Sequence, residues 1–113
     1  MCTRTTLNII TDKIVDSVKN SLGDKLDRII LYGSYARGDF DGESDIDIIV
    51  LANLPEAETK TFDTQLTRFG NRLGLEHDVV VSLFVKDCAT FYKFLPADPF
   101  YQNVMKDGVT LNE

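Results

Sequence analysis

Apolar residues recur three or four positions apart in three parts of the chain, a spacing that predicts three helices. The first covers about residues 6–22. The second follows Asn53, a favourable N-cap with Pro55 just inside the helix, and the third opens at Asp98, which precedes another proline. A glycine is predicted to end each helix: Gly23, Gly74 and Gly108.

Short, mostly apolar runs between these helices predict strands over about residues 26–32, 45–51 and 77–85. Residues 109–111 are long enough for an additional edge strand. The order is therefore helix, strand, strand, helix, strand, helix. This order is typical of one α/β (α+β) domain, and we expect residues 1–113 to form that domain.

The candidate chemistry lies where the first two predicted strands meet. Gly33-Ser34 forms a turn directly after the first strand, and Asp45 and Asp47 head the second. Side chains at i and i+2 of a strand project from the same face, with their Cα atoms about 6.6 Å apart. Two such carboxylates can share a pair of divalent ions, and the turn can offer amides and a hydroxyl to phosphate oxygens. The pattern predicts an enzyme that acts on a nucleoside triphosphate.

Simpler interpretations of these residues fail on detail. The acids before the second strand, Asp39, Asp41 and Glu43, resemble a solvated loop, here called the acidic loop, but Asp45 and Asp47 lead directly into an apolar run that enters the core. A calcium loop counted from Asp39 has its glycine too early and Val50 where a glutamate is needed. A P-loop beginning at Gly33 would need lysine where Asp39 stands.

Gly33-Ser34, ten intervening residues and Asp45-x-Asp47 match the GS-x10-DxD signature of the DNA polymerase β-like nucleotidyltransferase superfamily. The extended motifs, Gly-Ser-Tyr-Ala-Arg-Gly and Ser-Asp-Ile-Asp-Ile-Ile-Val, resemble its minimal nucleotidyltransferase branch, whose members are single catalytic domains of about this length. The resemblance implies a small mixed β-sheet of three to four strands with flanking helices. It also implies two Mg²⁺ ions and transfer of a nucleoside monophosphate, commonly AMP from ATP, to a hydroxyl.

The resemblance also implies roles for individual residues. Asp45 and Asp47 would be catalytic and hold the metal ions, while Gly33 and Ser34 would contact the nucleotide's phosphates. Arg37 is predicted to contact the nucleotide as a charged fork, and the alternative, that it ties down the acidic loop, stays open.

A third carboxylate on a later strand belongs to the family fold, and two residues here are candidates. Asp78 would open the third predicted strand and share a face with Ser82, whereas Glu76 would be in phase but outside the strand. We therefore predict Asp78 as the third metal ligand and catalytic carboxylate. His77, the only histidine, would face the opposite side and have a structural role.

Composition and charge limit the expected partners. Twelve Lys and Arg against eighteen Asp and Glu give a net charge of −6, so the basic surface that long nucleic acids require is not expected. No apolar run approaches the roughly 18 residues of a membrane span, and no signal peptide is expected. Cys2 and Cys88 have no motif spacing, which fits a reducing cytoplasm.

A chain of this length offers no second domain to hold an acceptor, so we expect a partner to present the hydroxyl. Minimal nucleotidyltransferases often pair with a small helical HEPN-domain protein, and the resemblance implies an antitoxin that adenylylates a toxin. The predicted docking surface is the aromatic stretch from Phe91 to Tyr101. Two alternatives stay open: a nucleotidyltransferase of the aminoglycoside-modifying kind, which would require a partner or a homodimer, and an inactive nucleotide-binding module.

Overall fold

A mixed four-stranded sheet forms the centre of the computed structural model, which describes residues 3–112. The strands are β1 (Leu26–Tyr32), β2 (Ile46–Ala52), β3 (Val81–Asp87) and β4 (Val109–Thr110). Their order across the sheet is β3-β2-β1-β4. β1 runs antiparallel to both β2 and β4, whereas β2 and β3 are parallel. The predicted fold class, a small mixed sheet with flanking helices, is confirmed.

Five α-helices connect and cover these strands in the described part of the chain. They are α1 (Arg4–Leu22), α2 (Ser34–Arg37), α3 (Glu56–His77), α4 (Cys88–Phe94) and α5 (Pro99–Asp107). The sequence pattern predicted α1, α3 and α5 but neither α2 nor α4. Both missed helices are only four and seven residues long, too short for a helical hydrophobic period to be recognised.

The two faces of the sheet carry different helices because side chains alternate along β2. The even-numbered residues of β2 from Ile46 to Ala52 join the larger core, which is built with α1 and α3. The odd-numbered Ile49 and Leu51 join the smaller core, which contains Phe91 of α4 and Val104 of α5. Asp47 belongs to this second face, at the end that α4 and α5 leave half-exposed.

The beginning of α3 differs from the prediction. Asn53 does not cap the helix; its backbone N–H donates to the carbonyl of Lys25 and so ties the end of β2 to the segment before β1. The helix begins at Glu56 with Pro55 as N-cap, and the carbonyl of Pro55 accepts from the Thr59 N–H at 3.0 Å.

The end of α3 is the larger correction. Gly74 does not end the helix; its missing side chain allows close packing, since a Cβ there would collide with the Val79 carbonyl. The carbonyl of Gly74 accepts from the N–H groups of Asp78 and Val79, and Asp78 takes the left-handed conformation that ends the helix, with φ 55°. The predicted strand over residues 77–85 therefore begins only at Val81.

The remaining predicted elements lie where the pattern placed them. β1 has the predicted bounds, β2 is shifted by one residue, and the side chain of Asp98 caps α5 by accepting from the Phe100 N–H. Cys88 is half-buried and packs against the smaller core, whereas Cys2 lies outside the described residues. Within residues 3–112 no helix is long and apolar enough to cross a membrane.

Asp87 provides a pH-dependent test of the packing of α4. Asp87 is 4% exposed, and its carboxylate caps the helix by accepting from the Thr90 N–H at 2.9 Å. Burial alone would raise the pKa of Asp87, but the hydrogen bonds from Thr90 and the charge of Lys86 outweigh it, so the pKa is lowered. Ionised Asp87 therefore stabilises the fold above its ordinary pKa, and this stabilisation is lost as the pH falls through the lowered value.

We expect Asp87→Ala to lower the free energy of unfolding by about 0.5–2 kcal/mol at neutral pH, because an N-cap is lost, and the difference from wild type to shrink in acid. Asp87→Asn is the matched control, since it keeps a capping oxygen without the titrating charge. Urea unfolding from about pH 3 to pH 7 measures both effects. Identical unfolding midpoints for wild type and Asp87→Ala at neutral pH would contradict this role.

Candidate active site

The Gly33-Ser34 turn and the carboxylate pair meet at one end of the sheet. β1 and β2 are antiparallel, so the end of β1 lies beside the start of β2, and Tyr32 pairs with Asp47. Ser34 is the first residue of α2, and Asp45 directly precedes β2. The sheet thus brings together the two halves of the motif that are separated in sequence.

Gly33 lies directly against Asp47. Its φ of +77° falls in the left-handed region that favours glycine, and a Cβ built there would lie 2.5 Å from Oδ2 of Asp47. The carbonyl of Gly33 accepts from the N–H groups of Ala36 and Arg37, both at 3.1 Å, which starts α2. Both the backbone conformation and the adjacent carboxylate therefore require glycine at this position.

The two carboxylates differ in their environment. Asp45 is exposed, whereas Asp47 is half-buried. Burial raises the pKa of Asp47, the negative charge of Asp45 raises it further, and Arg37 opposes both. Two ionised carboxylates held close together in this way match the oxygen donors and negative charge that Mg²⁺ prefers. The donor set therefore fits a divalent cation.

Tyr32 lies on the same face as Asp47. Burial, followed by the charge of Asp47, raises the pKa of Tyr32 to about 12. Its phenol therefore keeps its proton at neutral pH and remains a hydrogen-bond donor at the edge of the site.

Arg37 forms ion pairs with two carboxylates. Its Nε lies 3.1 Å from Oδ2 of Asp39, and its Nη1 lies 3.8 Å from Oδ2 of Asp107. The hydrogen bond to Asp39 is the main reason that the pKa of Arg37 is raised. The contact with Asp39 ties down the acidic loop, as the open alternative proposed, and that with Asp107 joins α2 to α5. A nucleotide contact by Arg37 stays a prediction.

Asp78 is not where the sequence analysis placed it. It caps the end of α3, is exposed, and lies outside β3, so the prediction that it opens the third strand is wrong. Glu76 is also exposed and helical, and His77 is the half-buried last residue of α3. The structure does not gather three carboxylates: within residues 3–112, no three His, Cys, Asp or Glu side chains lie close enough together to hold a metal ion.

Ser82 occupies the position on β3 beside Asp47. The two residues are paired in the parallel register of β2 and β3, so their side chains project from the same face, and Ser82 is exposed. The sequence pattern places Ser82 only on the same face as Asp78 and predicts no role for it. Ser82 could be placed beside Asp47 only from the true start of β3 at Val81 and its pairing with β2, and the sequence pattern predicted neither.

Asp45 also lines a cleft of about 530 Å³. The loop before β2, the last turns of α3 and the start of β3 form its walls, and both Asp45 and Asp78 belong to the lining. Leu75 and Val80 add apolar surface, and they are 86% and 61% exposed. The remaining lining residues are Gly42, Glu43, Ser44, Asn71, Gly74, Val79 and Val81.

The fold and the joined turn and carboxylate pair define a nucleotidyltransferase-type catalytic domain. The family model described as nucleotidyltransferase domain matches residues 11–109, which is most of the chain. The chain therefore belongs to the nucleotidyltransferase domain family, and the resemblance seen in the sequence motifs is confirmed.

Two proteins of Methanocaldococcus jannaschii, named as candidate protein adenylyltransferases, are similar to this chain. One is 42% identical over 65 residues, covering 58% of this chain and 64% of the relative. The other is 32% identical over 99 residues, covering 88% of this chain and 91% of the relative. The first match thus spans less than two thirds of its relative, whereas the second spans nearly the whole of both proteins.

Solved structures of toxin–antitoxin complexes are similar in fold. A crystal structure of a mutant of the toxin–antitoxin MntA–HpeT aligns with a TM-score of 0.53 and 28% identity, covering 88% of this chain and 69% of that chain. A crystal structure of a toxin–antitoxin with AMP-PNP aligns with a TM-score of 0.51 and 25% identity, covering 88% and 70%.

The close approach of Gly33 to Asp47 gives a test of the site's architecture. We expect Gly33→Ala to lower the free energy of unfolding by about 1–2 kcal/mol or more, because the new Cβ meets both an unfavourable φ and the Asp47 carboxylate. Gly42→Ala is the matched control, since a Cβ at Gly42 has no heavy atom within 4 Å. Urea denaturation measures both variants, and equal stability of the two would contradict the packing of the turn on Asp47.

Proposed function

We propose that this protein transfers AMP from ATP to a hydroxyl group of a partner protein, and that it does so as the antitoxin of a toxin–antitoxin pair. The observation that carries the proposal is the packing of Gly33 on Asp47, because it joins a phosphate-binding turn to a carboxylate pair in one rigid unit. The family supplies the reaction class, nucleotidyl transfer.

Asp45 and Asp47 are the residues that would hold two Mg²⁺ ions. When bound, the ions supply charge neutralisation for the triphosphate and for the leaving pyrophosphate. The repulsion that raises the pKa of Asp47 supports this assignment, because a bound cation relieves it. One of the similar toxin–antitoxin structures is a double aspartate-to-glutamate mutant, with the substitutions two positions apart, the same spacing as Asp45 and Asp47 here.

At the α-phosphorus the reaction forms one P–O bond and breaks another, and the acceptor hydroxyl loses its proton. The acceptor oxygen attacks the α-phosphorus in line, the bond from that phosphorus to the pyrophosphate oxygen breaks, and pyrophosphate leaves with the electron pair. The Ser34 hydroxyl and the backbone at Gly33 hold the phosphates, so the triphosphate occupies the turn side of Asp47. Arg37 would add positive charge there if it exchanges Asp39 or Asp107 for phosphate.

The cleft next to Asp45 is the proposed entry for the acceptor. Asp45 lines this cleft, whereas Gly33 and Ser34 do not, so a hydroxyl entering there would reach Asp45 without passing the turn. Asp78 lines this cleft and is proposed to take the proton from the hydroxyl. Asp78 is thus proposed to activate the acceptor from the end of α3, although it does not open the third strand.

The proposed partner is a small helical HEPN-type protein. The names of the similar proteins support protein adenylylation, and the similar structures are toxin–antitoxin complexes, one with AMP-PNP. Of the predicted docking stretch, Phe91 is fully buried and is excluded, whereas Tyr92 and Phe94 are 40% and 50% exposed. Phe94 also lines a shallow groove with Ala97, Asp98 and Pro99.

The net charge of −6 favours such a protein partner over a long nucleic acid. The proposed compartment is the cytoplasm, where ATP and reduced thiols are available.

Asp78→Asn tests the proton-accepting role. We expect kcat to fall about 100-fold or more, with the KM for ATP nearly unchanged, because the carboxylate acts on the acceptor and not on the triphosphate. Glu76→Gln is the matched control, since Glu76 is exposed on the same turn but does not line the cleft. Unchanged kcat in Asp78→Asn would remove the residue from the mechanism.

Intact-mass spectrometry of the co-expressed pair tests the proposed reaction. The partner is expected to gain one or more AMP masses with wild-type protein and none with Asp47→Asn, which keeps the shape of the site but removes a metal-binding charge. Asp16→Asn, an exposed position on α1, controls for a general effect of removing a charge. An unmodified partner beside an enzyme that still consumes ATP would contradict protein adenylylation and indicate a small-molecule acceptor.

A further inference from the structure

Three aromatic rings lie together on the face of the sheet that carries Asp47. Phe100 meets Tyr32 edge-on, with ring centroids 5.6 Å apart and planes at 82°. Phe100 also stacks on Phe84, with centroids 6.5 Å apart and planes at 26°. We call these three residues the aromatic shelf.

The strand register places the aromatic shelf next to the carboxylates. Tyr32 on β1 pairs with Asp47, and so does Ser82 on β3, two residues before Phe84. A ring that touches both Tyr32 and Phe84 therefore spans the central strand β2 beside Asp47. The shelf and the proposed triphosphate site thus share one continuous surface.

Phe100 is held by backbone hydrogen bonds and ring contacts but remains partly exposed. Phe100 lies in the first turn of α5, where the Asp98 side chain accepts from its N–H at 2.9 Å and from the Tyr101 N–H at 3.2 Å. With its backbone held in this way, Phe100 is still 44% exposed. A rigid, partly exposed aromatic face beside a phosphate site is suited to stacking with a planar base.

We propose that Phe100 is the platform on which the base of the bound nucleoside triphosphate stacks, with Tyr32 and Phe84 holding the ring in position. This inference rests on the proposed function, because it needs a nucleotide at Asp47. The larger π-surface of a purine stacks better than that of a pyrimidine, so the shelf favours ATP and GTP over CTP and UTP.

The absence of tryptophan from the sequence allows a direct optical test. Phe100→Trp places the only indole of the protein at the shelf. We expect ATP to change its fluorescence strongly and inorganic tripolyphosphate to change it little, because only ATP carries a base. Phe94→Trp is the matched control, since Phe94 is similarly exposed but lies outside the shelf.

Affinity measurements on Phe100→Ala complete the test. We expect the Kd for ATP to rise about fivefold or more and the Kd for tripolyphosphate to stay unchanged.

If wild type binds ATP but Phe100→Ala binds it equally well and Phe100→Trp gives no signal, the assignment of Phe100 as the platform is wrong and the proposed function stands. If the Phe100→Trp signal responds to a partner protein and not to ATP, the shelf is a protein contact and the platform is likewise wrong. If wild type binds neither ATP nor tripolyphosphate, the proposed function fails and the platform fails with it.

Discussion

The close packing of the Gly33 backbone on the Asp47 carboxylate is the constraint on which the rest of the site depends. A side chain at Gly33 would collide with Asp47, so the turn can lie against the carboxylate only because glycine stands there. The antiparallel pairing of β1 with β2 brings the two together, since it sets Tyr32 opposite Asp47. One local contact thereby fixes the distance between the proposed phosphate-binding turn and the proposed metal ligands.

The site is held in place by the two cores beneath it. The larger core packs the even-numbered face of β2 against α1 and α3, and the smaller core packs the other face against α4 and α5. Half-burying Asp47 near Asp45 is electrostatically unfavourable, as the raised pKa of Asp47 shows, and the cores supply the stability that offsets it. Phe100, on one of the two helices that close the smaller core, stays 44% exposed, and this connects the fold to the proposed stacking of a base.

The sequence predicted the elements whose signals are local, such as β1, the core of β2, and α5 with its Asp98 cap. It failed at Asp78 because Gly74, a typical helix-ending residue, instead provides close packing, while aspartate takes the left-handed cap. The cleft, the position of Ser82 and the aromatic shelf could not be predicted, since each depends on the register of β3 or on contacts between distant elements.

The central claim is that Asp45, Asp47 and the Gly33-Ser34 turn form one metal–triphosphate site. A crystal structure with Mn²⁺ and a non-hydrolysable ATP analogue tests it most directly, because anomalous scattering locates Mn²⁺ independently of the rest of the map. The account predicts an Mn²⁺ peak within about 2.0–2.2 Å of oxygens from both carboxylates, with the β- and γ-phosphates at the turn. Mn²⁺ bound elsewhere, or a triphosphate that does not contact the turn, would contradict it.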